Sequence, residues 1–250
     1  MKKISVCIPT YNGEKYIKEQ LDSILDQLSD DDEIIISDDH STDGTLAVIT
    51  SINDSRIKVF MHDKVNIKGN KTEVNVGLVS NNLQNALKYA QGDVIYLADQ
   101  DDIWMKGRVS KTLPLFNNKN NINQVVICDC TIINNDRSII NHSYFSCINA
   151  KDSILNTIYK NPYLGCCMCF SKDLLKETFP FPGRNIGHDL WIGLIGKIYG
   201  KVIFINEPLI LYRRHDMAVS TSGAISKTSI FFKIKYRIYI LLELLKRVFH

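Results

Sequence analysis

The chain has 250 residues, 45% of them hydrophobic and 23% charged, the profile of an ordinary globular chain long enough for one large domain or a domain plus an appendage. Its formal net charge of +3 averages two unlike parts: residues 227–250 carry six Lys/Arg against one acid, Glu243, and residues 1–226 carry 24 basic and 26 acidic residues. A near-neutral body with a basic tail argues against a nucleic-acid-binding domain. The seven cysteines lie mostly in apolar runs, and Cys166-Cys167-Met168-Cys169 lacks the paired spacing and histidine partners of a zinc site. Buried free thiols in a reducing cytosol are the better reading. Met1-Lys2-Lys3 leads into a strand-like run rather than the apolar segment of a signal peptide.

Ile4-Ser5-Val6-Cys7-Ile8, closed by Pro9, has the pattern of a buried strand. Ile17, Leu21, Ile24, Leu25 and Leu28 then fall on one face of an amphipathic helix. Glu33–Ser37 reads as a second strand. Leu46, Val48 and Ile49 begin another helix behind the N-cap residue types Ser41 to Asp43. Ile57–Phe60 is a third strand and Gly77–Ala90 a helix with Leu83 and Leu87 inward, while Lys64–Glu73 has no clear assignment. Gly92 precedes the fourth strand, Val94–Leu97. This βαβαβαβ order predicts an α/β fold, a Rossmann-like, mostly parallel central sheet flanked by helices, with ligands at its carboxyl edge.

The fourth strand runs into Asp99-Gln100-Asp101-Asp102, three carboxylates within four residues. Close carboxylates repel unless a cation joins them, and oxygen ligands suit Mn²⁺ or Mg²⁺ shared with substrate phosphates. Read alone, the cluster favours a polar turn with Asp102 as a helix N-cap over a metal site. A second acidic pair, Asp38-Asp39, follows the second strand, so both clusters should reach one rim, one suited to a nucleoside and the other to a metal–phosphate. Pro9–Gly13 holds neither a dinucleotide-binding glycine triplet nor a phosphate-cradling Gly-Lys-Ser/Thr loop, which leaves a carboxylate-held divalent ion as the substitute.

Val6–Gly13, Ser37–Thr45 and Ala98–Trp104 together resemble the family 2 glycosyltransferases of bacterial polysaccharide synthesis, and the likeness runs in order through about residues 3–221. The Asp-Gln-Asp-Asp-Ile-Trp form is similar to rhamnosyltransferase-like members. The resemblance implies a GT-A fold and inverting transfer of a sugar from a UDP- or dTDP-linked donor. It implies that Thr10, Tyr11, Asp39 and Asn82 line the nucleoside side. Asp99 and Asp101 would be the acids of an Asp-x-Asp element, with Asp101 the direct metal ligand. It also implies a lipid-linked glycan acceptor, carried on undecaprenyl diphosphate, in O-antigen, capsule or other surface polysaccharide assembly.

In the second half, Asn161–Phe170 reads as a turn and a buried strand, and Gly187-His188-Asp189 opens a helix with Trp191, Leu194, Ile195 and Ile198 inward. By pattern, Asp189 is as well explained by the helix dipole. By resemblance it is the catalytic base, with His188 shaping the pocket. Leu211-Tyr212-Arg213-Arg214-His215 resembles the family's Tyr-Arg-x-His element, with His215 a metal ligand and Arg213 or Arg214 pairing with phosphate; a basic surface turn is the other reading. Ala218 departs from the Asn often found there, while Val219 and Ser220 fit. The domain expected is 1–221, divided into a nucleotide-sugar half, 1–104, and an acceptor half, 105–221, followed by a cationic amphipathic helix in 222–250. In that helix Ile234, Ile238, Leu241, Leu245 and Val248 form a stripe too interrupted by charge to span a bilayer. It would lie on the inner leaflet of the plasma membrane, making the enzyme cytoplasmic and peripheral, or pack on the domain or a second subunit. Two alternatives are a nucleotidyltransferase, which would carry an early Gly-rich basic loop, and a non-catalytic sugar-nucleotide-binding protein, which would have lost its acids.

Overall fold

The computed structural model describes residues 2–63, 65–117, 123–148, 153–182, 186–215 and 230–249. Lys64, Ala218, Val219 and Ser220, singled out in the sequence, lie outside the described residues, as do 222–229 and 250 of the expected C-terminal helix. Four strands, β1 (Ile4–Thr10), β2 (Glu33–Asp38), β3 (Ile57–Met61) and β4 (Val94–Leu97), pair in parallel in the order β3-β2-β1-β4. Helices α1 (Ile17–Leu25), α2 (Thr45–Ile52) and α3 (Lys71–Tyr89) connect them. All six residues of β2 are buried, as expected of a strand covered on both faces. At its start Glu33 accepts from Ser5 Oγ, Gln91 N and Lys58 Nζ, which ties three strands and the α3–β4 turn together.

The second half adds β5 (Ile103–Trp104), α4 (Arg108–Thr112), β6 (Gln124–Ile133), β7 (Ile139–Asn141), α5 (Tyr144–Ile148), α6 (Ile154–Tyr159), β8 (Met168–Ser171), α7 (Leu175–Thr178), α8 (His188–Tyr199), β9 (Lys201–Arg213) and α9 (Ile230–Phe249). The sheet continues β4-β8-β6-β9-β5, with β7 beside β6. β8 runs antiparallel to β4 and β6, β5 antiparallel to β9, and β6 parallel to β9. The sheet is thus parallel through its first half and mixed in its second, and both halves share one hydrophobic core.

Three details differ from the sequence pattern for physical reasons. β1 continues past Pro9 to Thr10. The Cys7 carbonyl accepts from Ala98 N, so Pro9, two residues on, faces the same side, where β4 has already ended. Its missing N–H therefore costs no ladder bond there. Helix α3 starts at Lys71 rather than Gly77, because Asn70 and Glu73 form a reciprocal capping box. Asp102 does not cap a helix: β5 follows it directly, and its carboxylate, 1% exposed, accepts from Arg213 N.

Helix α9 packs on the body through Tyr236, Ile240 and Leu244, and Arg247 donates to the Phe179 and Pro180 carbonyls. The stripe read from the sequence, Ile234, Ile238, Leu241, Leu245 and Val248, faces outward instead. The helix carries two apolar faces, and only one is covered by the described residues. No helix among them is long and apolar enough to cross a membrane.

Helix α8 approaches its neighbours closely because it presents glycines to them. A Cβ on Gly193 would fall 2.1 Å from the Tyr163 ring, and one on Gly196 2.4 Å from the Val125 side chain. Gly193→Ala is expected to destabilise the fold by about 1–3 kcal/mol through overpacking. It should also depress enzymatic activity at temperatures where the protein is still folded, because α8 carries Asp189 at its first turn. Urea unfolding and an activity assay at low temperature check both effects.

Candidate active site

The acidic loop begins where β4 stops, and four separate contacts hold it. Gln20 Nε2 donates to the Asp99 carbonyl at 2.7 Å. Gln100 makes two bonds to the Tyr11 backbone, accepting from its N–H at 2.9 Å and donating to its carbonyl at 3.0 Å. Arg213 Nε donates to the Asp101 carbonyl at 2.8 Å, and Arg213 N donates to Asp102 Oδ1 at 2.9 Å. The same guanidinium pairs with Glu19 on α1 at 2.7 Å and reaches the Asn135 carbonyl. Arg213 is 3% exposed, and in this geometry its charge serves the loop and Glu19.

The loop aims its carboxylates in different directions. Asp101 Oδ2 lies 2.6 Å from His215 Nε2, and the His215 ring packs on Tyr16 at 4.9 Å between centroids. Burial, with the nearby Asp101 and Asp189 charges, pushes Asp99 up to about 7. Burial and the same crowding push Asp102 well above the usual carboxylate range. Asp102 Oδ2 is buried with no hydrogen-bond partner. Donor atoms of Asp99, Asp102 and Cys166 lie within 4.8 Å of one another. Bonding with Cys167 and burial raise the Cys166 thiol well above its ordinary value, so Cys166 is a neutral thiol and the anionic donors are oxygens. Crowded carboxylates, one with an orphaned buried oxygen, fit a hard divalent cation rather than a thiophilic one.

Across the rim, the end of β1 meets the end of β2. Asp39, buried, donates its N–H to the Thr10 carbonyl at 2.9 Å, and its Oδ1 is 3.1 Å from His62 Nδ1 at the end of β3. Asn82 reaches from α3 to the same Thr10 carbonyl at 3.1 Å, leaving its buried Oδ1 without a partner. The Thr10 hydroxyl turns toward Asp38 Oδ2 at 2.9 Å, and the Tyr11 side chain stands half-exposed at the rim.

Asp189 sits in the first turn of α8, its Oδ1 accepting from Leu190 N at 2.7 Å and its Oδ2 from Asn161 Nδ2 at 2.8 Å. His188 points the other way, against Ser80 of α3 at 3.4 Å and against Gly165, where a Cβ would sit 2.4 Å from its Nε2. Burial pushes His188 below its ordinary value, which suits a neutral packing role.

Thr10, Tyr11, Asp39 and Asn82 therefore gather at one end of the rim, and Asp99, Asp101 and His215 gather with Arg213 at the acidic loop. The charge of Asp189 reaches Asp99 across the gap. Sequence reasoning missed Gln20, Gln100, His62, Cys166 and Asn161. Gln20 was detectable, because it lies between Ile17 and Ile24 on the apolar stripe of α1 and is fully buried. The other contacts join residues far apart in the chain and have no local signature.

Residues 5–179 match the family described as glycosyl transferase family 2. The chain belongs to that family and is a glycosyltransferase. It is 29% identical over 193 residues to the Escherichia coli UDP-Glc:alpha-D-GlcNAc-diphosphoundecaprenol beta-1,3-glucosyltransferase WfgD, covering 77% of this chain and 69% of that protein. It is 29% identical over 245 residues to the Shigella flexneri dTDP-rhamnosyl transferase RfbG, covering 91% and 76%. Staphylococcus aureus TarS, solved with UDP-GlcNAc, superposes with a TM-score of 0.68 at 20% identity, covering 98% of this chain and 67% of that one. The mannosyltransferase from Pyrobaculum calidifontis, solved with GDP-Man and Mn²⁺, superposes at 0.59 with 17% identity, covering 87% and 59%. At such identities the likeness to solved structures establishes the fold, which is GT-A.

The raised Asp99 has a direct consequence for stability. From about pH 4, where an unfolded aspartate ionises, to about pH 7, the folded chain holds a proton on Asp99 that the unfolded chain has lost. Stability from this group falls as pH rises through that window. Asp99→Asn is expected to raise the unfolding midpoint of chelator-treated protein, by an amount that grows between pH 4.5 and 8. Calorimetric scans showing a pH-independent difference would refute this.

Proposed function

We propose that the enzyme transfers a sugar, with inversion, from a nucleoside-diphosphate sugar to a hydroxyl of a lipid-linked glycan in bacterial surface-polysaccharide assembly. The observation that carries this reading is the convergence of Asp39, the acidic loop and Asp189 on one rim of the sheet. Asp39, with Thr10, Tyr11 and Asn82 around it, offers a carboxylate to a nucleobase or ribose donor, and residues 1–104 form the donor half. Residues 105–221 supply the acceptor side. The relatives support the substrate classes: WfgD is named for a UDP-glucose donor and a diphosphoundecaprenol acceptor, and RfbG for a dTDP-linked rhamnosyl donor.

Asp189 removes the proton of the acceptor hydroxyl as its oxygen attacks the anomeric carbon. The bond from that carbon to the diphosphate breaks, and the nucleoside diphosphate leaves with the bonding electrons. Attack from the face opposite the leaving group inverts the anomeric centre. Asp99 and Asp101, with His215 beside them, would hold Mn²⁺ or Mg²⁺, which when bound offsets charge on the departing diphosphate. Arg213 holds the loop in place for that task.

The outward stripe of α9, with exposed Leu155 and Tyr159 on α6, supports a peripheral seat on the inner leaflet. Lys233, Lys235 and Arg237 on α9 supply positive charge for anionic lipid.

A panel of nucleotide-sugars with Mn²⁺ and a diphospholipid-linked acceptor tests the reaction. Release of nucleoside diphosphate supports glycosyl transfer, whereas pyrophosphate release or binding without turnover refutes it. Asp189→Asn should lower turnover by about 10²–10⁴-fold while nucleotide binding persists. Asp101→Ala should instead weaken metal-dependent binding of the donor, measured by calorimetry with and without Mn²⁺.

A further inference from the structure

We propose that Asn161 is the positioning residue for the base: its side-chain amide, locked by the turn it closes, fixes the rotamer of Asp189 and leaves one Oδ2 lone pair for the acceptor hydroxyl. The inference rests on reading Asp189 as the base.

The geometry fixes the amide without ambiguity. Asn161 Oδ1 accepts from Tyr163 N at 3.0 Å, so the other end of the amide must be the NH₂ group, which donates to Asp189 Oδ2 at 2.8 Å. Asn161 is followed by buried Pro162, Tyr163 and Leu164, so the turn itself is anchored in the core. Asp189 Oδ1 is occupied from the other side by Leu190 N, so the carboxylate is gripped at both oxygens. Each carboxylate oxygen can accept two hydrogen bonds, and among the described residues Oδ2 therefore keeps one acceptor direction open. Asn161 touches no reacting atom; it acts through Asp189.

The titratable groups facing Asp189 are few. His188 on the same helix is pushed down by burial, and Tyr144 of α5 and Tyr236 of α9 are pushed up, Tyr236 to about 12. Neither tyrosine ionises in an assay range of pH 5–9. Asp99, raised to about 7, does titrate there, in the unsubstituted enzyme as well, so each variant's limb is read against that of the unsubstituted enzyme.

Asn161→Asp separates positioning from mere turn formation. A carboxylate still accepts from Tyr163 N–H, so the turn survives, but the donor to Asp189 becomes an acceptor. The expected result is a kcat lower by about tenfold or more at pH 7, a donor KM within about twofold, and an acidic limb of the kcat profile displaced to higher pH. Asn161→Ala should show the same split with a smaller displacement of the limb, and it serves where Asn161→Asp does not fold by circular dichroism. Unchanged kcat and an unmoved limb in Asn161→Asp would overturn the inference and leave Asn161 as a turn-former. Asp189→Asn run alongside distinguishes the two failures: if it retains turnover, the base assignment itself falls, and the positioning role falls with it.

Discussion

Three carboxylates within four residues at the end of β4 repel one another, and much of the surrounding structure exists to keep them together. Repulsion of this kind is costly in a half-buried site, because low dielectric strengthens it. The chain meets that cost by fastening the loop's backbone, while Asp99 and Asp102 hold their protons to higher pH than an ordinary carboxylate. Gln20, Gln100 and Arg213 bind Asp99 O, Tyr11 and Asp101 O, and Asp102 accepts from a main-chain N–H. Among the described residues, Asp101 alone of the three forms an ion pair, with His215. The result is a rigid frame around an electrostatic deficit of positive charge, which is what a cation-binding site requires before the cation arrives.

The sheet topology explains how so many distant segments reach one loop. The parallel half brings the ends of β1, β2 and β4 to one edge, the place where open α/β sheets bind ligands. The mixed half then folds back. β9 runs parallel to β6, and its last residue, Arg213, arrives beside Asp101 and Asp102. Glu19 on α1 completes the arrangement by accepting Arg213 from the other side. The parallel and mixed halves of the sheet are thus joined at this loop by one guanidinium.

The elements of the first half were legible in the sequence because each carries its own periodicity and breaker residues. The acids were legible too, since Asp39, Asp99, Asp101 and Asp189 sit at strand ends or a helix start within short recognisable motifs. What could not be read was pairing at long range. Nothing local shows that Asn161 meets Asp189, that Asp39 meets His62, or that Asp102 spends its carboxylate on Arg213 instead of capping a helix. The start of α3 was hidden differently: the Asn70–Glu73 capping box lies in a polar stretch with no apolar stripe to mark it. On α9 the spacing marked one apolar stripe but not which way it faces. Tyr236, Ile240 and Leu244 form a second stripe, and only tertiary packing decides which of the two faces inward.

The bond between Arg213 and the acidic loop spans more than a hundred residues, and ribosomal synthesis delivers its two ends at different times. The first four strands can emerge and pair while β9 is still unmade. During that interval Asp101 and Asp102 lack both the main-chain donor and the histidine that later hold them, and the loop has only Gln20 and Gln100 for support. Arrival of residues 201–215 both closes the β6–β9 ladder and brings Arg213 and His215 to the acidic loop.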